Sequence, residues 1–308
     1  MDNRLAIIDL GSNTFHLMIV EVLNDRSTSV LYKERIFVGL SENGIDQLSD
    51  AVMLRGIEAI GKFQIKINEY HVTHTSTTGT SALRTASNGD VFIKSVYDTY
   101  NIKIDKIDGA REAELIYKGV RQIIDLSGKT SVIMDVGGGS IEFIIVTDNV
   151  VSWSRSYDLG IGVLYSAYKI DDPISERQAS DIKRELKDKL SELNDQLTNI
   201  ESTDSLIGAS GSFEVVQSMN GIPLSPDKAT TVTLDDYHAI SQRLIASTLA
   251  ERANMEGLPA SRIKLIVVAM LLIDVAIDII SPKNLVISPY ALKEGVLSEM
   301  LGNQQSIR

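Results

Sequence analysis

The chain has 308 residues, of which 44% are hydrophobic, six are proline and none is cysteine. This length predicts two domains, and the lack of cysteine excludes disulfides, thiolate catalysis and thiolate metal sites. The formal net charge of −11 at pH 7 argues against general nucleic-acid binding, which needs a basic surface. The first apolar run follows directly on a few polar residues, a pattern that does not suit a signal peptide, so we expect a cytoplasmic protein.

The first elements are predicted to be a β-hairpin, a third strand and a long helix. Residues 7–20 (IIDLGSNTFHLMIV) place two apolar runs around a polar, glycine-bearing turn, and residues 27–38 read as a further strand. Apolar side chains recur at helical spacing in residues 49–70, which predicts an amphipathic helix. A strand over 71–76 then leads into TGTSALRTASNG at 78–89, a hydroxyl-rich turn that begins another helix.

Two charged side chains of this first half are candidates for chemistry. Arg84 is either a solvated helix residue or an anion ligand, since a guanidinium group matches phosphate oxygens well. After a short strand over 102–107, Asp108 is predicted to cap a helix that runs through Ile124. Glu112 lies in the first turn of that helix, where the helix dipole alone favours acidic residues. The polar turn that follows marks the predicted boundary between domains 1–125 and 126–308.

A second hairpin opens the other half of the chain and repeats the first. Residues 131–146 (SVIMDVGGGSIEFIIV) contain an apolar run that reaches Asp135, three glycines, and a second apolar run that contains Glu142. Residues 133–146 align with residues 7–20 without a gap. The matched polar and glycine positions are Asp9 with Asp135, Gly11 with Gly137, and Thr14 with Ser140.

Each hairpin turn has the properties of a phosphate-binding loop. Successive glycines let backbone N–H groups converge on one concavity and let a bulky anion approach the main chain. A carboxylate at the end of the first strand can hold a hydrated divalent metal, and Ser140 adds a hydroxyl. One such hairpin could be an ordinary β-turn, but two copies predict a duplicated fold. Its two acidic loops would face each other and bind phosphate groups and a metal from both sides.

The remainder of the second half is predicted to alternate helices and strands. We expect a strand over 150–157, a glycine turn at 158–162, a charged helix over 175–199, a strand-to-glycine turn at 205–212, a helix over 234–254, a strand at 285–288 and a final helix. Residues 263–280 are apolar enough for a bilayer span, but Asp274 and Asp278 would be costly there, so we expect a buried helix and no membrane partner. This order predicts two α/β domains with mixed sheets and a ligand cleft between them.

Six ordered motifs give the chain a resemblance to a known family. IIDLGSNTFHLMIV, TGTSALRTASNG, IDGAREAELIYKGV, IMDVGGGSIEFIIV, LIGASGSFEVV and ISPYALKEGVL resemble those of the exopolyphosphatase / guanosine pentaphosphate phosphohydrolase family, over essentially the whole chain. The resemblance implies two ribonuclease-H-like domains with an interdomain cleft, the superfold of actin, sugar kinases and heat-shock ATPases. In that superfold the C-terminal helix commonly crosses back onto the first domain, a placement expected for residues 291–308. The chain resembles the short form of the family, without the additional helical domains of longer members.

The resemblance also implies roles for individual residues. Glu112 and Glu142 match the two acids used in hydrolysis, and Arg84 matches the arginine of the TSALR motif, which makes these three the predicted catalytic residues. The implied phosphate-binding residues are Asp9, Gly11, Ser12, Asn13, Thr14, Gly137, Gly138, Gly139 and Ser140. The implied metal ligands, with Mg²⁺ as the expected ion, are Asp9, Asp135 and Glu142. The departures from the family pattern are Arg111, Ile141, Ala209, Ser212 and Lys293, and they put substrate preference in question.

The expected reaction is hydrolysis of a terminal phosphoanhydride by an in-line water that Glu112 deprotonates. The substrate is inorganic polyphosphate, guanosine pentaphosphate or both, because the two present the same terminal group to the loops. A homodimer is expected at the level of the family only. The alternatives are a kinase of the same superfold, which would need an acceptor and an adenosine site, and a nucleotide- or alarmone-binding regulator without turnover.

Overall fold

The first half of the chain forms a five-stranded mixed sheet in the computed structural model, which describes residues 4–25, 27–42 and 44–303. Strands β1 (Arg4–Leu10), β2 (Thr14–Val22) and β3 (Thr28–Phe37) form an antiparallel meander. Strand β4 (His74–Gly79) pairs in parallel with β1, and β5 (Asp105–Lys106) pairs in parallel with β4. The strand order is therefore β3-β2-β1-β4-β5.

The second half repeats this sheet. Its strands are β6 (Thr130–Val136), β7 (Ile141–Thr147), β8 (Val150–Tyr157), β9 (Ser205–Gly208), β10 (Thr230–Val232) and β11 (Asn284–Ile287). Strands β6, β7 and β8 form the antiparallel meander, and β9 and β11 extend the sheet in parallel to β6. Strand β10 adds an antiparallel edge to the order β10-β11-β9-β6-β7-β8. The predicted duplication into two α/β halves with mixed sheets is confirmed.

The helices lie between and around these strands. They are α1 (Asp50–Glu69), α2 (Ser81–Thr85), α3 (Gly89–Tyr100), α4 (Gly109–Val120), α5 (Ile161–Tyr168), α6 (Glu176–Lys189), α7 (Ser191–Leu197), α8 (Gly211–Met219), α9 (Leu234–Ala246), α10 (Leu249–Arg252), α11 (Ile266–Ile280) and α12 (Leu292–Asn303). Helix α4 starts at the predicted cap, where the Asp108 side chain accepts from the Arg111 N–H, but it ends four residues before Ile124. Helices α5 and α8 and strand β10 were not predicted.

Two long helices predicted for the second half are each broken. The helix over 175–199 divides at Leu190, which is fully buried and ends α6. The helix over 234–254 stops at Ser247, whose backbone is extended, and a capping box formed by Thr248 and Glu251 begins α10. The T-x-x-E pattern was a local signal for this second start. Helix α11 is a core helix, and no helix within the described part of the chain is long and apolar enough to cross a membrane.

Helices α4 and α12 join the two halves at the base of the cleft. One apolar cluster combines Ile7 of β1 and Ile133 of β6 with Ile116 of α4 and Leu297 of α12. The two helices approach closely, because an added Cβ on Gly295 would lie only 1.9 Å from the Leu115 carbonyl oxygen. Helix α4 also contacts β7 and β8 of the second sheet, and α12 contacts β1 of the first. The domain boundary at 125/126 stays a prediction, and residues 304–308 lie outside the described ranges.

Candidate active site

The two hairpin turns line one cleft between the sheets. The turn between β1 and β2 and the turn between β6 and β7 lie on its walls, together with Glu112 of α4 and Glu214 of α8. Lys293, in the first turn of α12, completes the lining next to β1. The internal repeat of the sequence thus places both of its loops at one site.

The peptide groups of the second loop are oriented by the start of α5. The carbonyl oxygens of residues 137–139 accept hydrogen bonds from the N–H groups of Ile161 at 3.0 Å, Gly162 at 2.8 Å and Gly160 at 3.1 Å. In a trans peptide the N–H of the next residue lies opposite the carbonyl. The N–H groups of Gly138, Gly139 and Ser140 therefore face away from α5, on the side where the cleft lies. Three successive amides in this orientation form an anion-binding concavity.

The first loop is held in the same way by the segment after β3. The Ser12 carbonyl accepts from the Ser41 N–H at 3.0 Å, and the Asn13 carbonyl accepts from Val38 and Gly39 at 2.9 Å. The N–H groups of Asn13 and Thr14 are therefore directed away from that segment. The side chains are fixed as well, since Ser12 Oγ accepts from the Ala82 N–H at 3.0 Å and Asn13 Oδ1 accepts from Ser41 Oγ at 2.6 Å.

The two loops face each other across a narrow gap. A Cβ added to Gly138 would lie 2.6 Å from Asn13 Nδ2, and one added to Gly139 would lie 2.5 Å from Ser12 Oγ. Both distances are well inside van der Waals contact, so a larger residue at either position would have to displace Asn13 or Ser12, whose side chains are hydrogen-bonded. The predicted approach of the two loops is present in the fold, and it explains why the second loop needs glycines.

Four carboxyl groups gather at the floor of the cleft. They are Asp9, Glu112, Asp135 and Glu142. Burial raises the pKa of Asp9 to about 6 and of Glu142 to about 7, the latter with help from the charge of Asp135. The pKa of Asp135 rises to about 8, first through burial and then through Glu112 and Asp9. Burial and the Glu142 charge hold the pKa of Glu112 well above its usual range. Such a group of mutually raised carboxyl pKa values is common at catalytic sites and also occurs in structural ion-pair networks.

The two glutamates are held by different partners. Arg84 Nη1 donates to Glu112 Oε2 at 3.0 Å and to the Ile107 carbonyl at 2.9 Å, and the Arg84 charge lowers the pKa of Glu112 against the effect of burial. Ser156 Oγ of β8 donates to Glu142 Oε1 at 2.7 Å. Both carboxylates are nearly inaccessible to solvent, and both line the cleft.

The structure brings together all the predicted site residues except one. Asp135 and each predicted phosphate-binding residue line the cleft with Glu112 and Glu142, whereas Arg84 lies behind Glu112 and outside the lining. The role of Arg84 as a direct phosphate ligand stays a prediction. Arg111 does not face the cleft, because its guanidinium pairs with Glu114 at 2.7 Å and with Glu299 of α12. Lys293 does face the cleft, and its charge lowers the pKa of Asp9 and Asp135.

Four further titratable side chains line the cleft that were not singled out as site residues from the sequence. They are His16, Arg35, Glu214 and Arg262. His16 pairs with Asp9 in the β1–β2 register as Glu142 pairs with Asp135 in the second hairpin, so the internal alignment was a signal for it. Burial and the charges of Lys293 and Arg35 hold the pKa of His16 well below its usual range. The two arginines lie far from the repeated loops in sequence, and no local pattern marks them.

The acidic floor suits a divalent cation, although it is not a complete cage of ligands. Within the described residues no group of three or more histidine, aspartate or glutamate side chains is arranged to hold a metal ion. Mg²⁺ usually keeps water ligands and binds one or two carboxylates together with substrate phosphates. Carboxyl groups whose pKa values are raised by one another are the donors that such a cation would neutralise.

Comparison with known proteins agrees with these features. The chain matches the family model described as Ppx/GppA phosphatase family over residues 21–304. A solved exopolyphosphatase from Cytophaga hutchinsonii is 36% identical, with a TM-score of 0.93 and 98% of each chain covered. A Haemophilus influenzae protein provisionally named an exopolyphosphatase is 27% identical over 98% of this chain and 93% of its own length.

Relatives that are longer than this chain have a different name from the two described above. A Photobacterium profundum protein named guanosine-5'-triphosphate,3'-diphosphate pyrophosphatase is 27% identical over 97% of this chain. The chain spans 60% of the length of that relative. These matches confirm the predicted fold and the predicted hydrolase class, and the chain belongs to the Ppx/GppA phosphatase family.

Proposed function

We propose that the cleft hydrolyses the terminal phosphoanhydride of a polyphosphate chain, of guanosine pentaphosphate or of both. One observation carries this proposal: two glycine-bearing loops, whose carbonyls are held from outside the cleft, line the same cleft as two buried glutamates. Amides fixed before the substrate arrives can hold the charge that develops on a transferring phosphoryl group. The names of the relatives supply the two substrate classes.

Glu112 is the proposed general base. Burial raises its pKa, which makes it a stronger proton acceptor than an ordinary carboxylate. The hydrogen bond from Arg84 fixes one carboxylate oxygen and leaves the other for a water molecule. In this arrangement Arg84 positions the base. Glu142, held by Ser156, would share the orientation of the water.

Asp9, Asp135 and Glu142 are the proposed metal ligands, with water and phosphate oxygens completing the coordination. Bound Mg²⁺ would neutralise negative charge on the phosphate oxygens during transfer. The cationic residues Arg35, Arg262 and Lys293 lie in the same cleft and offset the protein's negative charge locally. A polyanion therefore meets three cationic side chains in the cleft of an acidic protein. A cytoplasmic location and a homodimer remain predictions.

A regulator that binds the substrate without hydrolysing it is the second candidate. The same phosphate loops would serve such a protein, and it would not need a general base.

Replacing Glu112 by Gln keeps the size of the side chain and an acceptor for Arg84, but it removes proton acceptance. Loss of a general base typically costs about 10²–10⁴-fold in turnover. We expect Glu112→Gln to release phosphate that much more slowly while binding tripolyphosphate normally.

The matched control is Glu114→Gln, on the exposed face of the same helix. It should retain wild-type turnover, since its carboxylate pairs with Arg111 and Lys118, away from the cleft lining. Phosphate release within a few-fold of wild type in Glu112→Gln would remove the proposed base. Tight binding with no release by the wild type would favour the regulator.

A further inference from the structure

An ion pair crosses the cleft between the two halves of the chain. Arg35 of β3 donates from Nη1 to Glu214 Oε2 at 2.8 Å and from Nη2 to Glu214 Oε1 at 2.9 Å. The two residues are 179 positions apart in sequence; Arg35 belongs to the first sheet, and Glu214 belongs to helix α8 of the second half. Both line the cleft that contains the phosphate loops. This two-bond geometry is the one in which a guanidinium group binds a carboxylate or a phosphate.

Glu214 is surrounded by positive charge. Arg35, Arg262 and Lys293 all act on it and lower its pKa, even though burial acts in the opposite direction. Arg262 lies against the start of α8, since an added Cβ on Gly211 would meet its guanidinium at 2.2 Å. Among the described residues Arg262 makes no ion pair. Glu214 is therefore under the influence of three cations, of which Arg262 and Lys293 also act on Asp135.

This arrangement resembles an anion site that already contains an anion from the protein. A phosphate group that bound Arg35 through two oxygens would need the guanidinium edge that Glu214 now uses. Both groups cannot use that edge at once, so binding there requires Glu214 to leave. The exposed share of the Arg35 side chain, 57%, leaves room for such an exchange at the cleft mouth.

We propose that Glu214 is a built-in competitor that a polyanionic substrate displaces from Arg35. Arg35 then binds the phosphates that are not transferred, and the cost of displacing Glu214 selects chains of several phosphates over single phosphate ions. This inference rests on the proposed function of the cleft and assigns the specificity for its substrate to two residues. The opposite role for Glu214 is to orient Arg35 for the substrate. In that role, removal of Glu214 would weaken substrate binding.

The test is calorimetric binding of tripolyphosphate and of orthophosphate at pH 7 without divalent metal. An exposed or half-exposed ion pair contributes up to about 1 kcal/mol, which corresponds to roughly a fivefold change in affinity. We expect Glu214→Gln to bind tripolyphosphate about fivefold more tightly. Its affinity for orthophosphate, which the loops alone would hold, should change by less than about twofold.

Two controls separate displacement from a general change in charge. Glu34→Gln removes one negative charge from the neighbouring position of β3 and should leave both affinities unchanged. In an Arg35→Ala background the gain from Glu214→Gln should disappear, because no guanidinium is released. Glu214→Ala should reproduce the gain, which guards against an effect peculiar to glutamine.

Three outcomes contradict parts of the account in different ways. Weaker or unchanged tripolyphosphate binding by both Glu214 variants, with normal wild-type binding, overturns the competitor role alone. A gain that persists in Arg35→Ala overturns it as well, since the effect would then be general electrostatics. Failure of the wild type to bind tripolyphosphate, both without metal and with Mg²⁺ added, overturns the proposed function together with this inference.

Discussion

Replacement of Gly160 by Ala should weaken phosphate binding, although Gly160 contributes no side chain to the cleft. Its N–H donates to the Gly139 carbonyl, and its neighbours Ile161 and Gly162 hold the other two carbonyls of the loop. Its φ of −62° and ψ of 154° are accessible to alanine, so the backbone itself is not strained by the change. Any effect must come from the space that the new methyl group needs.

That space is occupied by main-chain atoms. A Cβ on Gly160 would lie 2.4 Å from the carbonyl carbon of Gly138 and also 2.4 Å from that of Gly139. This is about 1 Å closer than a comfortable carbon–carbon contact of roughly 3.5 Å. A backbone neighbour cannot rotate away as a side chain can, so α5 and the loop must separate by about that distance. The three hydrogen bonds that orient the loop amides would lengthen together.

We expect the free energy of unfolding to fall by about 1–3 kcal/mol, the usual cost of overpacking. A misplacement of about 1 Å can cost on the order of 10²-fold in turnover, so kcat/KM for phosphate release should fall by a comparable factor. The control is Gly302→Ala in α12, where no atom of the described residues outside the helix's own backbone lies within 4 Å of the added methyl group. Gly160→Ala with wild-type tripolyphosphate affinity and wild-type kcat/KM would refute the argument that these amides form the phosphate site.

Three further predictions concern the charged groups. Arg84→Ala should raise the pKa of Glu112, because the Arg84 charge lowers it. The acid limb of the pH profile of kcat/KM should therefore shift to higher pH. An unshifted acid limb would contradict the positioning role of Arg84. The raised pKa values of Asp9, Glu142 and Asp135, about 6, 7 and 8, mean that the native state keeps protons which the unfolded chain has lost. Stability from these groups is therefore present below pH 4 and is lost as pH rises to about 8 in urea titrations without metal, and Mg²⁺ should restore part of it at pH 8; a flat profile would contradict the clustered carboxyl groups. Asp274→Ala should lower the free energy of unfolding by about 3–5 kcal/mol in the same titrations, because Lys183 loses its ion-pair partner and two hydroxyl groups lose an acceptor. The control is Asp278→Ala at an exposed position, which should change that free energy by no more than about 0.5 kcal/mol.

The sequence predicted those parts of the structure that local pattern controls. The gap-free alignment of residues 7–20 with 133–146 predicted two matching hairpins, because strand–turn–strand chemistry is encoded within a dozen residues. Alternation and helical spacing likewise located α1 and α4 near their observed starts. The breaks at Leu190 and Ser247 escaped prediction, since tertiary burial and a local cap override a continuous helical period there.

The site was predictable only as far as the repeated motifs extend. Glu112 and Glu142 both line the cleft, and both belong to motifs on which the family resemblance rests, so they could be predicted. Arg35 and Glu214 meet only because the fold brings a strand of the first sheet against a helix of the second. Arg84 and Arg111 both belong to recognisable motifs, but the motif does not fix where the side chain points. That orientation depends on packing in the folded protein. Arg84 turns toward Glu112, and Arg111 turns toward α12.

The most direct measurement is a phosphorus NMR time course of linear tetrapolyphosphate and of guanosine pentaphosphate with the purified protein and Mg²⁺. Attack on the terminal phosphorus predicts orthophosphate with tripolyphosphate from the first substrate, and orthophosphate with the tetraphosphate nucleotide from the second. Both signals should nearly vanish in Glu112→Gln. Pyrophosphate as the first product of tetrapolyphosphate, or equal rates in wild type and Glu112→Gln, would contradict terminal hydrolysis in this cleft.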